Sequence, residues 1–287
     1  GQCTETPAER EGLARTIRIG GYPVHEYGGL IFAWLGEGEA APFDLPRKEV
    51  FEQPDRLYFT REQVWPCNWF QQVENSMDAV HVSFVHQKGR IGRFGEAVTP
   101  TIPSLEYEET DAGIRQIATR GINNVRISDW TFPNNNHILI PSIRNDDRWI
   151  DIGVWTVPVD DETTTRLQIY SVPSLGPEAD RMITEHFERH LAYNPTDHHD
   201  TLFDDDIYPE ETLLELTSAQ DYVAAVGQGA IVDRSRERLG VSVSGIATLR
   251  RIFLRELRAM RDGGEGKTWR SLDHVDELPT PHAVGAA

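Results

Sequence analysis

The order of hydrophobic patterns in this 287-residue chain predicts an α+β fold, an antiparallel β-sheet with covering helices. Three observations carry this. Strand-like segments bounded by turn residues fill 17–35 and 104–172. Helical-period segments flank and follow them at 68–81, 178–193 and 246–261. No internal repeat or low-complexity tract competes with a layered domain.

Taken in order, Ile17, Ile19, Tyr22, Val24 and the run Leu30-Ile31-Phe32-Ala33-Trp34 read as β, with Gly28-Gly29 as a turn. Residues 36–46 are rich in Gly, Ala, Pro and Glu and read as a linker, so a boundary near residue 47 divides 1–46 from 47–287. Residues 68–81 contain no Gly or Pro and place Phe70, Val73, Met77 and Val80 at helical spacing, starting just after Pro66. The 104–172 meander includes a hairpin in which 150–158 and 166–170 flank Asp160-Asp161-Glu162-Thr163-Thr164. The 178–193 helix carries Met182, Ile183, Phe187 and Leu191 on one face. Residues 194–210 read as polar loop, and Thr217-Ser218 as the cap of a short helix. The last helix, 246–261, has Leu249, Ile252, Phe253, Leu257 and Met260 as its apolar side, and a Gly-, Pro- and charge-rich tail follows Asp262.

Composition excludes several classes. Lys plus Arg is 28 against 46 Asp plus Glu, a formal net charge of −18, so the chain repels phosphate backbones and nucleic acid is not an expected partner. No apolar run reaches the ~20 residues of a membrane helix. The opening Gly1-Gln2-Cys3-Thr4-Glu5 lacks the basic and apolar regions of a secretion signal, which points to the cytosol. Because the first residue is not Met, an N-terminus upstream of Gly1 is expected. Two cysteines, Cys3 and Cys67, exclude a disulfide framework and any four-cysteine metal site within these residues.

The sharpest local pattern is Asp78-x-x-His81-x-x-x-x-His86. Residues five apart on a helix are rotated by ~140° net, so two histidines at this spacing share no face of a straight helix. They converge if the helix ends or bulges between them, and Val82-Ser83-Phe84-Val85, rich in weaker helix formers, is a suitable place. Two imidazoles and one carboxylate from elsewhere would form the ligand face of non-haem Fe(II) oxygenases. Asp78, three residues before His81, is placed to accept that ring's N–H. From spacing alone, one buried and one surface histidine with no metal is the commoner account of such a pair.

Other clusters carry less. Thr196-Asp197-His198-His199-Asp200 with Asp204-Asp205-Asp206 reads as a solvated acidic loop before a second metal site, and Asp233-Arg234 as a local ion pair. Gly266-Lys267-Thr268 lacks the upstream glycine and strand of a phosphate loop. Arg250, Arg251, Arg255, Arg258 and Arg261 read as the wet side of a helix that buries its Leu and Phe face. Ile138, Ile140 and Ile143 are candidates to line an apolar cavity, with Asn136 or Arg144 adding a polar group.

Together, Glu74-Asn75-x-x-Asp78-x-x-His81-x-x-x-x-His86, the opening Gly1-Gln2-Cys3 with Tyr22-Pro23-Val24-x-Glu26-x-x-Gly29-Leu30-Ile31, and Gln220-Asp221 followed by Gln228-Gly229 and Asp233-Arg234-Ser235 resemble a known family. It is the large subunit of the Rieske-type aromatic-ring-hydroxylating oxygenases, in its phthalate-dioxygenase-like branch. The resemblance implies that 1–46 is the end of a Rieske-like β domain with its linker, and that 47–287 is a helix-grip-like catalytic domain around an apolar cavity. It implies mononuclear Fe(II) on His81, His86 and Asp221, with Asp78 passing electrons from the Rieske cluster of a neighbouring subunit and Asn75 shaping the iron pocket. It further implies a small aromatic substrate and O2, hydroxylation or O-demethylation, a reductase or ferredoxin as electron donor, and a ring of three subunits. One departure is large. A Rieske [2Fe–2S] cluster needs Cys-x-His and Cys-x-x-His pairs, and neither occurs among these residues. Either the sequence is a fragment or the protein has lost its own cluster. A non-catalytic binder of apolar molecules is the alternative, and a zinc hydrolase on the same three ligands is a third reading.

Overall fold

The computed structural model describes residues 1–36, 38–39, 48–86, 101–121, 124–142, 148–195 and 213–269. Most of the 36–46 linker, the 196–210 acidic stretch, Ile143 and Arg144, and the tail from 270 lie outside the described residues.

The N-terminal part holds a 3₁₀ turn, Leu13–Thr16, and a hairpin of β1 (Val24–Tyr27) and β2 (Leu30–Ala33). Gly28 and Gly29 have φ of 57° and 82°, the left-handed pair that a two-residue hairpin turn requires. The β reading of 17–35 therefore holds for 24–33, whereas residue 18 makes only an isolated bridge to Gln2.

The larger part is one seven-stranded antiparallel sheet. Its strands are β3 (Arg56–Trp65), β4 (Ser104–Glu109), β5 (Gly113–Arg120), β6 (Asn124–Thr131), β7 (Asn135–Pro141), β8 (Trp149–Pro158) and β9 (Thr164–Pro173), in the order β3-β9-β8-β7-β6-β5-β4. From β3 the chain crosses to the far edge and meanders back, so β9 closes beside β3 with Trp65 opposite Thr164. The β8–β9 hairpin turns where the acidic loop predicts, Pro158 opposite Thr164. Strand β3 is hidden in the sequence because its inward residues are Arg61, Gln63 and Trp65, two of them polar.

Five helices are described: α1 (Trp69–Met77), α2 (His81–Phe84), α3 (Pro177–Ala192), α4 (Leu213–Val226) and α5 (Ser244–Arg261). They clasp one face of the sheet. Ile150, Ile152 and Val154 of β8 pack with Val82 of α2 and with Ile183 and Phe187 of α3. Val73 and Met77 of α1 meet Ile114, Trp130 and Leu249 and Ile252 of α5. Trp65 meets Tyr222 and Ala225 of α4. The alternate face of β8 turns Trp155 toward Phe51 and Tyr27, so the β1–β2 hairpin lies against the sheet's other side.

Helix positions correct four expectations. Thr217 and Ser218 lie inside α4, which begins at Leu213, and do not cap it. Met182, Leu257 and Met260 point outward, at 65%, 58% and 70% exposure, because the buried stripes of α3 and α5 are narrower than the apolar residues suggest. Asp233 caps the 3₁₀ turn Arg234–Arg236 through Ser235, while Arg234 pairs with Glu74 at 2.7 Å, so those neighbours form no mutual ion pair. Arg250 is not simply wet. It bridges Glu74 and Glu237 at 2.6 and 2.5 Å.

Candidate metal centre

Asn68 starts α1, its side chain accepting the Phe70 N–H at 3.0 Å. The helix stops at Met77 because Asp78 turns extended, with φ −100° and ψ 91°. The single helix expected over 68–81 is thus two helices. A first break falls at 78–80, before His81, and α2 itself ends at Phe84, between the histidines and within the 82–85 stretch that the spacing singles out. His81 opens the four-residue α2 and His86 stands just beyond its end, which brings the ring centroids to 5.1 Å at 77°.

Asp78 makes the corner. Its Oδ1 accepts the backbone N–H groups of Val80 at 2.9 Å and His81 at 3.2 Å. The His81 Nδ1 meets the Asp78 main-chain carbonyl. The ring's partner on this residue is therefore the carbonyl and not the carboxylate that the spacing suggests. A carbonyl only accepts, so His81 carries its proton on Nδ1 and turns the Nε2 lone pair inward.

Asp221 approaches from α4. Its Oδ1 stands 3.5 Å from His81 Nε2 and 3.3 Å from His86 Nε2. The neighbouring Gln220 places its side-chain carbonyl 2.8 Å from His86 Nδ1. Helix α4 is fixed against the rest by the edge-to-face contact of Trp65 with Tyr222, at 5.3 Å and 82°. Gln71 of α1 holds its far end, donating to the carbonyls of Ala225 and Gly229 at 3.0 and 3.1 Å. Pattern alone gives no sign of Gln71, since a glutamine on a helix ordinarily faces water.

One ligand atom from each of His81, His86 and Asp221 lies within 4.8 Å of the others. Asp221 Oδ1 is sealed from solvent and accepts no hydrogen bond. A buried carboxylate oxygen in that condition is costly unless a cation serves it. Two ligand atoms ~2.1 Å from a shared ion and about 90–110° apart stand ~3.0–3.4 Å from each other, close to the separations seen here. The donor set therefore fits a divalent ion. Burial works to raise the Asp221 carboxyl, but the two imidazoles hold it well below the usual carboxylate range. Burial works to lower His86, yet Asp221, and then Gln220, carry it above its ordinary value.

The triad opens on a cavity of about 910 Å³, its open mouth included, which Asn75 and Asp78 also line. Ile138, Ile140 and Ile152 form an apolar wall, as the sequence suggests for the first two. Asn136 is buried on β7 but does not line it. Arg126, Arg166 and Gln168 form a polar wall that sequence reading missed. Its signal was present: on β6 and β9 charged residues occupy positions that period-two alternation points inward.

Fold and site together define an antiparallel sheet clasped by helices around an interior His–His–Asp cluster. No family model matches the chain. Among curated proteins it is 29% identical to the 5,5'-dehydrodivanillate O-demethylase oxygenase subunit of Sphingobium sp. (strain NBRC 103272 / SYK-6), covering 98% of this chain and 64% of that protein. It is 27% identical to the phenoxybenzoate dioxygenase subunit alpha of Ectopseudomonas oleovorans, over 92% and 64%. To the phthalate 4,5-dioxygenase oxygenase subunit of Pseudomonas putida it is 26% identical, over 88% and 62%. The chain thus spans somewhat less than two thirds of the length of these relatives. Among solved structures, the caffeine-bound NdmA QL mutant of Pseudomonas putida CBB5 shares the fold, with a TM-score of 0.58 at 14% identity over 90% of this chain and 66% of that one. These relatives are large subunits of Rieske-type oxygenases, and the chain is similar to them, the phthalate 4,5-dioxygenase subunit among them.

Proposed function

We propose that the chain is the catalytic portion of an oxygenase that hydroxylates or O-demethylates a small aromatic substrate, with mononuclear Fe(II) held by His81, His86 and Asp221. The observation that carries this reading is the convergence of those three donors, one of them a buried carboxylate oxygen without a hydrogen bond, in the lining of one partly open cavity. The names of the relatives, dioxygenase and O-demethylase oxygenase subunits, support the reaction class.

Bound there, iron would supply the activation of O2, with reducing equivalents from a Rieske [2Fe–2S] centre and a reductase or ferredoxin donor. The Cys-x-His and Cys-x-x-His pairs of such a centre are not among these 287 residues. The chain's own residues perform the rest. The Asp78 carbonyl and the Gln220 amide hold both imidazoles with Nε2 facing Asp221. Ile138, Ile140 and Ile152 receive the ring and exclude water from it. Asn75 and Asp78, which line the cavity, take the roles of pocket shaping and electron entry from a neighbouring subunit. Residues 1–46 belong on this reading to the Rieske-like domain and linker, 47–287 to the catalytic domain, in a cytoplasmic homotrimer. An apolar carrier would not account for a buried carboxylate set between two imidazoles.

Anaerobic reconstitution with ferrous salt tests the reading. One iron per chain is expected in the parent and a large loss in His81→Ala and Asp221→Ala. Equal iron in all three would refute it.

A further inference from the structure

Strand β5 runs beneath the corner that joins α1 to α2, and its inward residues meet that corner in order. Ile114 packs with Val73 and Met77 of α1. Gln116, two residues on, donates from Nε2 to the Met77 main-chain carbonyl at 2.8 Å. Tyr107 of β4, directly opposite Gln116 in the sheet, gives its hydroxyl to the same carbonyl at 3.3 Å. Ala118 follows, and then Arg120, whose Nη2 donates to the Ala79 carbonyl at 3.2 Å. The Nε of Arg120 reaches the Thr101 carbonyl at 3.1 Å, and that carbonyl also accepts the Ser83 hydroxyl of α2 at 3.2 Å. Gln116 and Arg120 are both buried.

The last carbonyls of a helix have no partner within it, and a glycine in left-handed conformation often closes such an end. Helix α1 ends on Asp78 instead, and side chains of the sheet serve its carbonyls. Three consecutive carbonyls are thereby held: Met77 by Gln116 and Tyr107, Asp78 by the His81 ring, and Ala79 by Arg120. The middle one orients His81. Each peptide unit is planar and turns only about the dihedrals beside it, so fixing the two outer units leaves the middle one little freedom. A charged donor such as Arg120 makes the stronger kind of hydrogen bond to a carbonyl. We propose that Gln116 and Arg120 are positioning residues of the metal centre. They hold the peptide units that flank the Asp78 carbonyl, and through that carbonyl they set the direction of His81 Nε2. The proposal deepens the reading of His81 as an iron ligand and rests on it. A ligand held to within roughly 0.5 Å of its working geometry needs such support around it.

Cobalt(II) chloride is the probe, added to the full chain. Its visible bands report the geometry of the ligands, and competition with a coloured chelator reports affinity. Gln116→Leu, which keeps the bulk and removes the donor, is expected to weaken cobalt binding about tenfold and to shift the bands. Arg120→Met is expected to do the same. Arg120→Lys, which keeps a donor, is expected to recover most of the parent's affinity and spectrum. Tyr107→Phe removes only the longer of the two bonds to the Met77 carbonyl, so a loss of about two- to threefold is expected. It carries the test if Gln116→Leu does not fold. A lowered Tm or a weaker affinity with the parent's bands would show that these side chains only support the fold, and overturns the proposal. Cobalt binding that falls in His81→Ala but keeps the parent's affinity and bands in Gln116→Leu, Arg120→Met and Tyr107→Phe leaves the metal reading standing and removes this one. A parent chain that binds no cobalt overturns both.

Discussion

The side-chain carbonyl of Gln220 stands 2.8 Å from Nδ1 of His86, while Asp221, the next residue, presents Oδ1 to the opposite ring nitrogen at 3.3 Å. Two consecutive residues of α4 thus hold one imidazole from both sides. Gln220 decides which nitrogen carries the proton, and Asp221 joins the donor set.

Gln220→Leu removes the acceptor and frees both the tautomer and the ring. An outer partner of this kind is worth about 10- to 100-fold in metal affinity. Competition with a coloured chelator, using zinc or cobalt, is expected to show that loss in Gln220→Leu and much less of it in Gln220→Glu. Equal affinity in the two variants would show that the contact does not orient the ring.

Asp78 acts locally as a cap, its Oδ1 serving the amides of Val80 and His81. Asp78→Ala is expected to cost about 0.5–2 kcal/mol, and Asp78→Asn, which keeps an acceptor there, most of an order less. Urea unfolding of the two variants measures this. Equal stabilities would remove the capping role.

His190 of α3 is 1% exposed, accepts from or donates to the Tyr170 hydroxyl at 2.9 Å, and is held at about 3 by burial and by the nearby Arg61, His186 and Arg166. Its folded pKa lies below the unfolded value of ~6.5. Between those values the unfolded chain binds more protons. The stabilisation is therefore complete above pH ~6.5 and is lost as pH falls, by up to roughly 1.4 kcal/mol per pH unit. Urea unfolding at a series of pH values down to 5 is expected to show this slope in the parent and a flatter one in His190→Gln. His137, also lowered by burial and by Lys48, supplies part of the remaining slope. Identical slopes in parent and variant would contradict the assignment.

The meander from 104 to 172 is legible because Ile, Val and Trp alternate with polar residues and the turns carry Gly, Asn and Asp. The spacing of Asp78, His81 and His86 is legible too, and so is the requirement that no straight helix carry both histidines. The end of α2 at Phe84 falls in the 82–85 stretch read for it, whereas the earlier break at 78–80 is not legible. The corner is made by side-chain-to-backbone hydrogen bonds of Asp78, which compete with the helix and leave no period in the sequence. Strand β3 and the arginine wall are obscure for a common reason. Arg61, Gln63, Arg126 and Arg166 are polar residues at inward positions, and pattern reading treats polar residues as outward. The four-residue α2 is too short to show a period.

The most direct measurement is an iron-edge anomalous difference map from crystals of the protein reconstituted anaerobically with ferrous iron. A single strong peak among His81 Nε2, His86 Nε2 and Asp221 Oδ1 is the predicted result. A map with no peak there, or with its strongest peak at other residues such as His198 and His199, would contradict it.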